Sequence, residues 1–308
     1  MLSNFVIGDI DKEYDINPDI LDSGTFGYVN EAFRRSDGLR VAIKTMIDDE
    51  LDLDTSVSLV RELHLLASVK HPKCLKLVGF TLDPGPKIIT PFMAHGSLYS
   101  LIKKMYMGMP DPGFTPTKKM CAIYGICSAM KYLHNKAIIH RDFKPANIFV
   151  DDNFDICIAD FGLSRKVEEN LYLTRTKLGS PLYMAPELFN KDKSYTNKID
   201  VYSFGVSYLQ FFGRLTTLDD NRRKIKDEDD LYLRVSNGAR FVKPNNANES
   251  QYDVYMRCCQ HNPSLRPSFR ELCEAFENNK DLWFDGVDED EYKKYIQNCK
   301  DIDESLHV

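Results

Sequence analysis

The spacing of apolar residues changes near Pro91, and that change constrains the fold of this 308-residue chain more than any other feature. From Asp19 to Pro91 the pattern is strand-like around a single helix. Ile20–Gly24 and Tyr28–Arg34 flank a glycine turn, and Ser36-Asp37-Gly38 forms a hairpin turn ahead of Leu39–Ile47. Val57–Val69 then places Leu59, Val60, Leu63, Leu66 and Ala67 at helical spacing. Two short strands are expected near Leu75–Phe80 and Lys87–Pro91. After Pro91 helical periods take over. Thr115-Pro116 is a cap with proline in the first turn, leading into a stripe of Met120, Ile123, Cys127 and Met130. Helical patterns return at Lys198–Phe212, Gln251–Cys259 and Ser268–Asn278. The expected architecture is α+β and bilobal. A small antiparallel-sheet lobe with one helix covers residues 19–91, and a larger, mainly helical lobe covers 97–279. The two join near Phe92–Gly96. Residues 1–18 form an N-terminal extension and 280–308 an acidic tail with a short helix around Tyr292–Ile296. Lys103–Lys118 and Asp219–Asp230 read as solvated surface loops.

A net charge of −6 argues against a broad nucleic-acid or anionic-membrane surface. Met1-Leu2-Ser3-Asn4-Phe5 lacks the basic stretch and apolar run of a secretory signal. Val201–Phe212, the most apolar segment, contains Ser203, Ser207 and Gln210 and is too short to span a bilayer, so a buried helix is expected. The eight cysteines include no C-x-x-C pair and read as reduced, mostly buried thiols of a cytoplasmic protein.

Several short segments carry candidate chemistry. In Leu21-Asp22-Ser23-Gly24-Thr25-Phe26-Gly27-Tyr28-Val29, glycines between two strands let backbone N–H groups close on phosphates without side-chain interference. Alone, such a turn reads as an ordinary hairpin. It does not fit a Rossmann dinucleotide site, whose glycine turn leads into a helix. Val41-Ala42-Ile43-Lys44 reads by itself as a strand ending in lysine, and Glu62 as a solvated helix residue. His140-Arg141-Asp142-Phe143-Lys144-Pro145-Ala146-Asn147 and Asp160-Phe161-Gly162 follow.

In this order the segments resemble the eukaryotic protein kinase catalytic domain, from roughly Asp19 to Asn279. The resemblance implies the bilobal protein kinase fold and the use of ATP and Mg²⁺. It implies that Lys44, braced by Glu62, holds the α- and β-phosphates, and that Asp142 accepts or orients the substrate hydroxyl. Lys144 is implied to contact the γ-phosphate, with Asn147 and Asp160 as the metal ligands. The nucleotide pocket is implied at Leu21, Gly24, Thr25, Phe26, Gly27, Val29, Ala42, Lys44, Thr90, Pro91, Met93 and Phe149. Thr90 would be the gatekeeper, and Pro91 and Met93 the adenine-contacting hinge. Glu187 and Arg266 are implied to form a buried ion pair anchoring the substrate-binding segment.

Lys144, and Gly179-Ser180-Pro181 leading to Ala185-Pro186-Glu187, are similar to serine/threonine kinases. Asp200-Val201-Tyr202-Ser203-Phe204-Gly205 and Asn262-Pro263-Ser264-Leu265-Arg266-Pro267 are similar to tyrosine kinases and their relatives. The mixture resembles the tyrosine-kinase-like group of serine/threonine kinases, with a protein substrate. Thr174 and Thr176 are the expected sites for an upstream kinase or for autophosphorylation. The sequence departs from the family at Asp22, where the first glycine of G-x-G-x-x-G is usual, and at Cys258-Cys259. Asp22 keeps open a pseudokinase scaffold with weak or no ATP turnover, and a dual-specificity or tyrosine kinase is the other alternative.

Overall fold

In the computed structural model, residues 2–24, 27–46, 53–166, 180–189, 195–220 and 223–307 are described. A short helix α1 (Ile10–Glu13), capped by Asp9, leads into β1 (Tyr14–Gly24). β1 starts well before the expected Ile20. Pro18 has no N–H to give to a ladder, and the strand passes it through two register shifts between Ile16 and Asp22. The Asn30 amide fills the gap, donating to the carbonyls of Asn17 at 3.0 Å and Asp19 at 3.2 Å.

β2 (Gly27–Arg34), β3 (Arg40–Met46), β4 (Gly79–Thr81) and β5 (Lys87–Pro91) complete an antiparallel sheet in the order β1-β2-β3-β5-β4. Alternation makes one face: Ala32, Val41, Ile43 and Ile89 are buried together with Ile10 and Tyr14. Helix α2 (Leu53–Ser68) turns Leu59, Leu63 and Leu66 into the main core. The expected strand over Leu75–Phe80 is mostly irregular. Leu75 and Leu77 are still buried, but their N–H groups go to the carbonyls of Ile158 and Leu66, which lie outside this sheet.

Beyond β6 (Gly96–Ser97) the chain is mainly helical. α3 (Leu98–Tyr106) enters the stretch expected as a loop, and α4 (Pro116–Asn135) is capped by Thr115 with Pro116 at its first position, as expected. α4 is buried nearly all round and forms the axis of the large lobe. Four short strands follow: β7 (Ile138–Ile139), β8 (Ile148–Val150), β9 (Ile156–Ile158) and β10 (Arg165–Lys166). α5 (Lys198–Leu209) is the expected buried helix, and α6 (Glu228–Ser236) begins inside the second expected loop. α7 (Glu249–Cys258) and α8 (Phe269–Asn278) each start with a reciprocal capping box, Asn248 with Gln251 and Ser268 with Glu271.

The tail departs most from expectation. α9 (Glu289–Ser305) has 17 residues and buries Tyr292, Ile296, Cys299 and Asp303 on one face against α4. The fourth residue of that face is a carboxylate, which hides the stripe from an apolar count. All eight cysteines are free thiols, seven of them buried.

Candidate active site

Three of the candidate residues, Asp142, Lys144 and Asn147, lie on the loop between β7 and β8. This loop turns sharply, with Arg141 in the left-handed region at φ 71°. The buried carboxylate of Asp200, in the first turn of α5, holds it there. Asp200 accepts the N–H of His140 and the N–H of Arg141, each at 2.9 Å, and His134 Nε2 at 2.9 Å. Burial pushes the Asp200 carboxyl up. The His134 hydrogen bond, the neighbouring histidines and the His140 N–H outweigh that and hold it below its ordinary 3.8. A depressed carboxyl contributes stability in full above its unfolded value, and the contribution is lost as pH falls through the lower folded value. The melting temperature of the wild type is therefore expected to fall more steeply than that of Asp200→Asn between about pH 5 and about pH 2. Parallel slopes in thermal melts would contradict this.

Asp142 is buried, and both its oxygens are used. Oδ1 accepts the Ser180 N–H at 3.0 Å, while Oδ2 accepts Lys144 Nζ at 2.6 Å and Asn147 Nδ2 at 3.0 Å. Lys144 Nζ also donates to Ser180 Oγ at 2.8 Å, so one ammonium joins the loop to the start of the 180–189 segment. Asn147 Nδ2 further donates to the Asp142 carbonyl at 2.9 Å. With the amide nitrogen committed, the Asn147 amide oxygen is left without a hydrogen-bond donor among the described residues.

Asp160 is pinned beside Asn147 by the backbone: the N–H of Ala159 donates to the Asn147 carbonyl at 2.9 Å. The Ala159 carbonyl accepts His140 Nε2 at 2.9 Å, and Phe161 is fully buried against the His140 ring, 5.5 Å between centroids. Asp160 itself takes a left-handed φ of 62°. Its carboxylate accepts no hydrogen bond among the described residues.

Lys44 and Glu62 are brought near each other but not joined: among the described residues no nitrogen–oxygen distance of 4.0 Å or less links them. Burial raises the Glu62 carboxyl above its ordinary range, the Lys44 ammonium opposes the rise, and the Asp160 charge adds to it. Gly162 lies under both acids. A Cβ there would stand 3.7 Å from Asp160 Oδ1 and 3.9 Å from Glu62 Oε2. The Asp160 carboxylate and the Asn147 amide oxygen, neither of which accepts a hydrogen bond among the described residues, are oxygen donors that fit a hard divalent cation. With no cluster of three or more His, Cys, Asp or Glu able to hold a metal among the described residues, such a cation would take its remaining ligands from phosphate and water, as Mg²⁺ does.

Lys44 pairs with Val29 across one side of its strand and Ile88 across the other, and Ala42 pairs with Thr90. Val29, Ala42, Thr90, Pro91, Met93 and Phe149 are partly buried along this line, whereas Leu21 is exposed. Met93 keeps its N–H free of protein partners among the described residues, and its carbonyl accepts the Gly96 N–H at 3.0 Å, leaving one lone pair. Gly24 pairs with Gly27, where a Cβ would land 2.0 Å from the Thr45 carbonyl oxygen. Strand packing alone therefore demands glycine there. Thr25 and Phe26 lie outside the described residues, as do Thr174, Thr176 and Gly179. Asp22 is exposed, and its Oδ1 accepts the adjacent Ser23 N–H at 2.9 Å.

On the other side of the loop, Arg266 and Glu187 form the expected pair, with two parallel bonds of 2.6 and 2.8 Å. The roles of His134 and Asp200 were not foreseen. A carboxylate in a helix otherwise free of charge after its first residue was the available signal, because a buried acid must be paired.

A family model described as protein tyrosine and serine/threonine kinase matches residues 17–276. The zebrafish (Danio rerio) tyrosine-protein kinase receptor TYRO3 is 29% identical over 271 residues, covering 84% of this chain and 30% of the relative. A putative serine/threonine-protein kinase/receptor of Acanthamoeba polyphaga mimivirus is 32% identical over 253 residues, covering 81% and 14%. The tyrosine-protein kinase transforming protein Abl of Abelson murine leukemia virus is 30% identical over 262 residues, covering 83% and 33%. This chain thus spans a third or less of the length of these three curated relatives.

Proposed function

The chain belongs to the protein tyrosine and serine/threonine kinase family, whose members use ATP and Mg²⁺, and from that premise we propose that it transfers the ATP γ-phosphoryl group to serine or threonine hydroxyls of protein substrates. The observation that carries this reading is the convergence of Lys144, Asn147 and Ser180 on the Asp142 carboxylate, next to a free amide oxygen and Asp160. Phosphoryl transfer needs positioning and charge neutralisation more than covalent chemistry. Asp142 Oδ2 orients the acceptor hydroxyl and takes its proton as the new O–P bond forms and the bond from the γ-phosphorus to the β,γ-bridging oxygen breaks, with ADP as the leaving group. The Lys144 ammonium lies where the equatorial oxygens of the transferred group gain charge. Lys44 holds the upstream phosphates, and Glu62 limits where Lys44 can swing. Asn147 and Asp160 would hold the metal, which supplies neutralisation of the phosphate charge.

Lys144 supports serine and threonine as acceptors, because a lysine two residues after the candidate catalytic aspartate resembles the serine/threonine kinases. The relatives include both tyrosine and serine/threonine kinases. Thr174 and Thr176 are proposed as sites of autophosphorylation or of an upstream kinase. A cytoplasmic location is proposed from the free thiols; no helix among the described residues is long and apolar enough to cross a membrane.

A scaffold with little turnover is the second reading, favoured by Asp22 and by the open distance between Lys44 and Glu62. Purified protein given labelled Mg-ATP and myelin basic protein decides between them. Transfer recovered as phosphoserine and phosphothreonine is expected. Phosphotyrosine alone would overturn the acceptor assignment, and no transfer would favour the scaffold.

A further inference from the structure

We propose that Tyr295 and Asp303, on the C-terminal helix beyond the matched family domain, are positioning residues that set the geometry of Glu62 and Asp160 from behind the active site. The loop 69–75 leaves the end of α2, which carries Glu62, and runs alongside β9, which ends two residues before Asp160. It is stitched to that strand on both sides of one residue. The Ile158 N–H donates to the Lys73 carbonyl and the Leu75 N–H to the Ile158 carbonyl, each at 2.8 Å. Whatever fixes this loop therefore fixes the relation between Glu62 and Asp160.

α9 grips it at two points. The Tyr295 hydroxyl donates to Asp155 Oδ1 at 2.9 Å; Asp155 pairs with Lys73 through its other oxygen, and the Lys73 ammonium sits 4.8 Å from the Tyr295 ring centre. Two turns on, Asp303 accepts Lys131 Nζ at 2.6 Å and lies 3.6 Å from Nε2 of the fully buried His71. The Lys73 N–H donates to His71 Nδ1, which leaves Nε2 as the N–H nitrogen; it lies 3.3 Å from Ser128 Oγ, whose hydroxyl in turn donates to the Asp303 carboxylate at 3.4 Å. Residue choice in α4 is independent support. Gly125 sits in the middle of that helix, where glycine costs about 1 kcal/mol relative to alanine. A Cβ there would lie 2.5 Å from the Tyr295 oxygen. The helix gives up stability at the one place where Tyr295 must pass.

The test compares full-length wild type with Tyr295→Phe and Asp303→Asn, reading turnover per folded molecule and backbone amide exchange at 69–75 and 156–162. Each variant is expected to lose about fivefold to tenfold in turnover, the equivalent of one hydrogen bond, and to exchange faster in both segments. A passive prop would lower the melting temperature and loosen α4 and α9 only. Native exchange at 156–162, or unchanged turnover, would overturn the proposal. Should Asp303→Asn fail to fold, Tyr295→Phe carries the test, since it removes a single oxygen. The turnover arm rests on the phosphotransfer reading; the exchange arm does not, so an inactive wild type would count against that reading and leave this one decidable.

Discussion

Asp142→Asn is expected to lower phosphoryl transfer by about 10²–10⁴, the range that a positioned general base supplies, while ATP affinity changes by less than about tenfold. The difference follows from where Asp142 sits. On the proposed reading its carboxylate would meet the acceptor hydroxyl, whereas Lys44, Asn147 and Asp160 would hold the phosphates and their metal. The substitution has a structural cost as well. Three donors converge on Asp142: the Ser180 N–H at Oδ1, and Lys144 and Asn147 at Oδ2. An asparagine offers one acceptor oxygen and one NH₂, so either orientation sets a donor against a donor. That costs about 1–3 kcal/mol, a loss of stability too small to unfold the protein at room temperature. The variant should remain folded, bind nucleotide and transfer almost nothing. Equal transfer by wild type and variant in the labelled-ATP assay would remove Asp142 from the chemistry.

Residue identity, more than periodicity, made this site legible. Asp142, Asn147 and Asp160 stand in segments whose order along the chain resembles one family, and the fold brings them together through the pairing of β8 with β9, the Ala159–Asn147 backbone bond and the Asn147–Asp142 side-chain bonds. The sheet and the caps were legible for a local reason: alternation at Val41 and Ile43, and Thr115 ahead of Pro116, act within a few residues. What was missed depends on distant partners. Asp200 and Asp303 are buried acids whose roles exist only because His134 and Lys131 come to meet them from α4. The β1 strand passes Pro18 only because Asn30 supplies the missing donors. The distance between Lys44 and Glu62 is set by how α2 lies against the sheet, which no spacing within either element encodes.

Arg266→Ala is expected to cost about 3–5 kcal/mol of stability, the penalty for a buried charge left without its partner. The Arg266 side chain has no exposed surface and Glu187 only 10%. Beyond the two bonds to Glu187, the guanidinium donates to the carbonyls of Gln260 and Lys198, each at 2.9 Å, and lies 5.2 Å from the Tyr202 ring centre. Alanine therefore strands a carboxylate and two carbonyls at once. At about 2–4 °C per kcal/mol for a chain of this order of size, the melting temperature should drop by on the order of 10 °C. Lysine should not rescue it, because an ammonium cannot reproduce the fork. The source of the penalty can be separated from the worth of the pair. If the cost is the stranded charge, then Glu187→Ala added to Arg266→Ala removes that charge, and the double variant should be no less stable than Arg266→Ala alone. Additive losses in chemical denaturation would mean instead that each side chain contributes through its own packing. Glu187 would then be one more contact under the 180–189 segment, without a special claim to hold it against Asp142.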